Sequence, residues 1–386
     1  MLELLFLLLP VAAGYGYIMG RNSVRQAQRK QSSILSKHYY RGLNFLLSDQ
    51  PDKAVDTLIK MINLNNDTAE THIAMGNFFR HRGEIDRAIR VHQNLVSRDE
   101  LQSTQRETAL RELGRDYMQA GFLERAEDTF AKLLSSDKHF DFAQQQLFAI
   151  YQTTKEWERA IALAEKMLQD NEVVRTKLAH FYCEQAQIEL DKQDLESALA
   201  LLQKAVNADE HATRPWLMLG QVTFDEGRYD ESIDYLLQVA KREEDWFIEA
   251  IPVIQKITEQ TQDWDKFETL LNTHWVQSAT AYLAMVTIMV NQNRNQQAAD
   301  YLFSQLQKTP TMRGFHRLMQ LYSDNTTDND AKQTYQHLAE LVGKQIQQRP
   351  RYRCKSCGFS GRKLYWLCPS CKKWGVVHPI RGLDGE

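Results

Sequence analysis

A spacing of 34 residues recurs along this chain, and no other feature restricts its fold as strongly. Gly42 and Ala54 stand twelve positions apart; Gly76 and Ala88 repeat the pair 34 residues later, and Gly114 and Ala126 come after 38. Phe148 and Ala160 continue at 34, Ala186 and Ala198 at 38, and Gly220 and Ser232 at 34. Each step of 38 is one period plus a four-residue loop insertion. A period of this length marks a stacked array whose units cannot bury their apolar faces alone. Reading each unit as helix–turn–helix puts the small residues where paired helices approach most closely, since a larger side chain would hold the backbones apart. Phe148 departs from the pattern, so its unit must pack differently.

Other positions keep the same register. Phe45, Phe79, Tyr117 and Tyr151 stand three residues after the first small position. Gly83, Gly121 and Gly227 fall in the inter-helix turn, where a left-handed cap favours glycine. Trp216-Leu-Met-Leu-Gly220 is close to a W-x-x-L-G unit opening, and Pro310 closes a unit after Ala298 and Leu302. Residues 36–345 therefore resemble the tetratricopeptide family, with seven or more units. The pattern is sharp from 38 to 240 and fades between 245 and 280, where Trp246, Trp264 and Trp275 appear without the small pair. The fold class implied is all-α: an α-solenoid whose concave face, lined by the first helix of each pair, binds extended peptides or partner helices.

The N-terminus reads differently. Leu2 to Met19 carries one charge, Glu3, and as a helix would be about 27 Å long, enough for a bilayer core. A cleaved signal peptide is the rival, but it needs a positive stretch before the apolar run, and the chain opens Met-Leu-Glu. Arg21, Arg25, Arg29 and Lys30 come after it, which places the chain beyond residue 20 in the cytoplasm. The expectation is a transmembrane anchor over 1–20 and a basic juxtamembrane linker over 21–35.

The C-terminal segment, 350–386, carries the chemistry. Cys354-Lys-Ser-Cys357 and Cys368-Pro-Ser-Cys371 are two C-x-x-C pairs separated by ten residues. Each turn aims two thiolates at one ion, and two turns complete a tetrahedron with no open position for a catalytic water. Cys354, Cys357, Cys368 and Cys371 are thus the expected ligands of one metal ion. Gly358 permits the tight turn after the first pair, and Leu364 to Leu367 reads as a short hairpin strand. So small a module buries little core, so the ion would supply most of its folding energy. A cytosolic setting argues against two disulfides, and the missing βαβ context against thioredoxin-type redox chemistry. The segment resembles rubredoxin, which implies iron; a zinc ribbon fits four sulfurs equally well. Cys183, inside a repeat helix, reads as a buried inert thiol.

Charge is nearly balanced, with 47 Lys and Arg against 50 Asp and Glu, so the whole chain has little attraction for polyanions. Yet no acidic residue lies between Glu340 and Asp384, where ten basic residues fall, from Lys344 to Arg381. That run suits contact with nucleic acid, phosphorylated lipid or an anionic membrane surface; it equally suits a solvated face that offsets four thiolates. Tyr352, Tyr365, Trp366 and Trp374 are expected mostly in the core of the module. Nucleotide-binding glycine loops, H-E-x-x-H and G-x-S-x-G are absent, so the chain is not expected to be an enzyme. Asp324 to Asp330 gathers carboxylates but reads as a plain loop.

The order of these parts, the opening MLELLFLLLPVAA and the ending PRYRCKSCGF, LYWLCPSC and HPIRGLDG resemble the lipopolysaccharide assembly protein B family of Gram-negative bacteria over the whole chain. The resemblance implies a single-pass inner-membrane adaptor that regulates lipopolysaccharide synthesis from the cytoplasmic side. It implies as partners the membrane AAA+ protease FtsH and its substrate, the UDP-3-O-acyl-N-acetylglucosamine deacetylase that commits precursor to lipid A. It also implies contact with other lipopolysaccharide assembly proteins and with lipopolysaccharide or anionic lipid. The family's metal ligands fall on Cys354, Cys357, Cys368 and Cys371, although the second pair lacks the glycine that comes after it in rubredoxin. Two other classes stay open: a membrane-tethered nucleic-acid-binding protein using the basic ribbon, and an electron-transfer protein using rubredoxin-like iron.

Overall fold

The computed structural model describes Met19 and residues 69–385, apart from 167–171 and 275–276. The expected anchor, except Met19, lies outside the described residues, as do the linker, the pair Gly42 and Ala54, and Trp275. Among the described residues no helix is long and apolar enough to cross a membrane. The chain divides after Thr154 into two compact units.

The first unit holds α1 (Ala69–His81), α2 (Ile85–Val96), α3 (Ser103–Ala120), α4 (Leu123–Ala131), a 3-10 turn (Lys132–Ser135) and α5 (Phe140–Thr154). Small residues stand where the period demands them, and the reason is visible. A Cβ on Gly76 would come within 2.3 Å of the His92 ring, and one on Gly114 within 2.4 Å of Phe130. Both partners lie sixteen positions on, in the second helix of the pair.

The second unit holds α6 (Trp157–Glu165), α7 (Glu172–Asp191), α8 (Leu195–Ala208), α9 (Arg214–Asp225) and α10 (Tyr229–Arg242). After a 3-10 turn (Glu244–Trp246) come α11 (Phe247–Thr261), α12 (Trp264–Thr273), α13 (Ala279–Asn291), α14 (Asn295–Lys308), α15 (Met312–Asn325) and α16 (Asn329–Gln348). A Cβ on Gly220 would meet Leu236 at 2.5 Å, again sixteen positions on. The Ser232 hydroxyl donates to the Gly220 carbonyl at 2.6 Å, so its polar atom is satisfied inside that contact. Phe148, at the position where the other units hold a small residue, is itself buried in the first unit.

Gly83, Gly121 and Gly227 do take left-handed backbone, with φ of +78°, +78° and +74°. Lys155, Gln193, Gln262 and Asn293 hold the same turn position with φ between +59° and +66°. Helical pairing therefore runs through 245–280, where the sequence pattern fades. What fades is composition: Phe267 occupies the second small position and is itself buried, at 1% exposure. Side-chain caps mark the helix starts there, as Asp263, Ser278 and Thr311 accept from the backbone N–H of Lys266, Ala281 and Gly314. Asp328 likewise caps α16, and of the acidic stretch expected as a plain loop only 326–328 is one, since Asp324 lies in the last turn of α15 and Asp330 in the first turn of α16.

Three short strands close the chain: β1 (Tyr352–Cys354), β2 (Ser360–Gly361) and β3 (Val377–Pro379), antiparallel in the order β2-β1-β3. The strand expected over Leu364 to Leu367 does not form. Only Leu367 of that stretch bridges, to Trp374. The Trp366 side chain beside it is committed to the array.

Candidate metal centre

Strand β1 delivers Cys354, and the turn after it returns Cys357 beside the same point. The Cys354 N–H donates to the Phe359 carbonyl at 2.7 Å and the Gly358 N–H to the Cys354 carbonyl at 3.0 Å. The second pair repeats both bonds: Cys368 N–H to Lys373 carbonyl at 2.9 Å, Lys372 N–H to Cys368 carbonyl at 3.0 Å. Gly358 (φ +77°) and Lys372 (φ +56°) hold equivalent left-handed positions. The missing second glycine thus leaves the turn intact and replaces glycine with a strained lysine.

The two turns bring the four sulfurs together, all within 4.8 Å of one another. Cys354 Sγ lies 3.8 Å from Cys371 Sγ, and Cys357 Sγ 3.7 Å from Cys368 Sγ. Four sulfurs at about 2.3 Å from one ion would be spaced about 3.8 Å apart, so the donor set fits a tetrahedral ion. The Ser356 and Cys357 backbone N–H groups point at Cys354 Sγ, each at 3.4 Å, as they would toward a thiolate. A backbone hydrogen bond from Phe359 leads the effects that hold the Cys357 thiol down to about 6. Burial pushes Cys368 up to about 11, a cost that a bound cation would offset. Tyr352, Cys354, Cys368 and Val377 form the module's small buried core.

Trp366 and Trp374 are not part of that core, contrary to expectation. Trp374 stacks on His180 of α7 at 4.7 Å between ring centroids and meets Trp157 and Phe181 edge-on. Trp366 stacks on Trp246 at 4.7 Å. The Arg214 guanidinium, at the start of α9, lies 5.7 Å from the Trp366 ring and 5.9 Å from the Trp374 ring, and it donates to Glu184 at 2.8 Å. Around this centre the Tyr352 hydroxyl donates to Glu249 at 3.0 Å and Arg381 pairs with Asp245 at 2.5 Å. The Met312 N–H donates to the Leu383 carbonyl at 2.9 Å. The module is fastened along the array from α6 to α15. Burial, with Arg214 beside it, holds His180 down to about 3, so the stacked ring is neutral.

The basic run is partly used within the chain. Besides Arg381, Arg349 pairs with Asp384, and Lys373 donates to Ser356 at 2.9 Å. Cys183 lies apart from the cluster and is fully buried, its thiol pushed up to about 12 by desolvation.

Known proteins agree with this architecture. Over its full length the chain is 42% identical to lipopolysaccharide assembly protein B of Escherichia coli K12, which it also covers completely. The chain belongs to the lipopolysaccharide assembly protein B family. A relative of the same name from Haemophilus influenzae is 36% identical, with 98% of each chain covered. The family described as rubredoxin metal binding domain matches residues 352–379, and tetratricopeptide repeat families match 71–103, 179–211 and 213–245. Among solved structures, the TPR2AB domain of yeast Sti1 in its pHSP90 complex is 14% identical with a TM-score of 0.36, covering 71% of this chain and 99% of its own. The family's members are named as assembly proteins and the fold is a helical repeat scaffold; the chain is not an enzyme.

Sequence reasoning missed His180 and Arg214 as partners of the module, since neither breaks the repeat pattern. Trp246 gave a signal, being a tryptophan without a repeat role. In the first unit it also missed a buried charge network. Arg80 donates to Asp116 at 2.7 Å and to Glu112 at 2.5 Å, and His92 Nδ1 lies 2.5 Å from Asp116. Burial pushes Glu112 up, but the Arg80 hydrogen bond and charge, with Arg115 and Arg111, hold it below its ordinary value.

Proposed function

We propose that this chain is an inner-membrane adaptor of lipopolysaccharide assembly that presents the lipid A-committing deacetylase to the protease FtsH. On this reading residues 1–20 anchor it, 21–35 form a basic linker, 36–345 the repeat array and 350–386 the metal module, with the bulk of the chain on the cytoplasmic side. The full-length likeness to proteins named lipopolysaccharide assembly protein B carries the proposal. An anchor confines the search for membrane-bound partners to two dimensions, and a repeat array supplies an extended surface for capturing them. Cys354, Cys357, Cys368 and Cys371 hold one ion, iron on the rubredoxin likeness, with zinc the other ion that suits four thiolates. When bound, the ion cross-links the two turns. Trp366, Trp374 and Arg214 then hold the folded module against the repeats, so both partners meet one stiff surface. The nucleic-acid reading loses support because Arg349, Arg381 and Lys373 are engaged within the chain.

Deacetylase half-life in cells depleted of this protein tests the reading. Half-life should lengthen with an unchanged synthesis rate, and full restoration should require both the anchor and the four cysteines. An unchanged half-life would reject the degradation role and leave a scaffold of other assembly proteins.

A further inference from the structure

A pocket of about 360 Å³ lies on the seam between the metal module and the array. Asp245 and Ile248 line it from the array, and Arg353, Lys355, His378 and Arg381 from the module. Burial alternates along β1 and just past it: Tyr352 and Cys354 are buried, Arg353 and Lys355 exposed. The Lys355 N–H donates to the Val376 carbonyl at 2.8 Å, so the backbone stays extended beyond the strand end. Alternate residues of such a backbone stand about 6.6 Å apart on one face, which is how both cations come to line one pocket. His378 is the cross-strand partner of Arg353 in β3 and completes that face.

The charges of the pocket do not cancel. Asp245 is the one carboxylate that lines it among the described residues, and Arg381 already pairs with it at 2.5 Å. Arg353 has no hydrogen-bond or ion-pair partner among the described residues. Lys355 forms no ion pair there either, although Glu243, outside the lining, lies near enough to feel its charge. Two cations are therefore left over in one concave place.

Their chemistry identifies the ligand. A phosphate monoester carries nearly two negative charges and three terminal acceptor oxygens. A guanidinium binds two such oxygens in a fork, an ammonium binds the third, and an imidazole N–H can add to them. A carboxylate has one charge and two oxygens and would leave one of the cations unmatched. We propose that this pocket binds a phosphate monoester, held by Arg353 and Lys355 with His378 beside them. The site stands or falls independently of any role in proteolysis.

The test uses the full chain in detergent with its metal bound, and calorimetric titration of two monoesters, glycerol 3-phosphate and dihexanoyl-phosphatidic acid. Binding should saturate, weaken with salt and fall about tenfold on Arg353→Gln. Asp245→Asn removes the competing carboxylate and releases Arg381, so it should tighten binding about threefold. Arg362→Ala, on the module but outside the pocket, should change nothing. Because Cys354 also borders the pocket, each variant is compared at equal metal content. Equal affinity for the two monoesters would support the site with a soluble ligand, and at least about tenfold tighter binding of the phosphatidic acid would support it with a lipid headgroup. Binding of dihexanoyl-phosphatidylglycerol, a diester, as tight as that of the phosphatidic acid would overturn the proposal. Weaker binding in Asp245→Asn would overturn it, as would displacement of glycerol 3-phosphate by an equal concentration of a Glu-Val-Glu peptide.

Discussion

Trp374 of the metal module lies flat on His180 of α7, the ring planes 13° from parallel. A residue three positions past the last cysteine is thereby fixed to the middle of a repeat helix. His180 is buried, and its Nδ1 has no hydrogen-bond partner, so a proton on that ring would be an uncompensated buried charge beside Arg214. The contact makes docking of the module a property of both the metal turns and the array.

Acid should loosen that contact. His180 is held down to about 3 in the folded chain against an ordinary 6.5, so between those values the unfolded chain binds a proton that the folded chain does not. Its contribution is complete above pH 6.5 and is lost as pH falls toward 3. From pH 7 to pH 5 this one group should cost about 2 kcal/mol. His180→Phe keeps an aromatic ring and removes the proton, so its urea midpoint should fall less over that interval. Parallel pH profiles for the two proteins would show that His180 is not the titrating group.

The turn and contact positions of the array should respond oppositely to glycine. Gln193 holds φ +66°, where a side chain is strained, so Gln193→Gly should stabilise by about 0.5–1 kcal/mol. Gly220→Ala would drive a Cβ to 2.5 Å from Leu236 and should destabilise by about 1–3 kcal/mol. Thermal melting by circular dichroism reads both, and a lower melting temperature for Gln193→Gly would contradict the register.

The buried network of the first unit should be costly to break from one side. Arg80→Met leaves Glu112 and Asp116 buried without their shared cation, a loss of about 3–5 kcal/mol. Hydrogen exchange should quicken in α1 and α3 while the second unit keeps its protection. Unchanged protection in α3 would mean that the network contributes little.

The period of the array was legible because helix packing demands small residues at fixed places, and Gly76, Gly114 and Gly220 meet that demand directly. It faded where the demand is met otherwise, by Phe267 at a small position and by Gln262 and Asn293 in left-handed turns. The clustering of the four cysteines was legible because each C-x-x-C turn is local, and local spacing is written in the chain. The docking was not. Trp246, His180 and Arg214 come from separate repeats; His180 and Arg214 read as ordinary repeat filling, and Trp246 stands out only as a tryptophan without a repeat role, until the tail is seen lying against them. The same distance in sequence hid Arg80 from Asp116.

Metal content of the purified full chain tests the central claim most directly, that four thiolates hold one ion and that this ion folds the docked module. One mole of iron or zinc per mole of chain is expected, unchanged in Cys183→Ser and lost in the double variant Cys354→Ser, Cys371→Ser. With the metal gone, Trp366 and Trp374 should leave Trp246 and His180, and their fluorescence should shift to the red. A full mole of metal in the double variant, or an unshifted spectrum in a metal-free chain, would contradict the account.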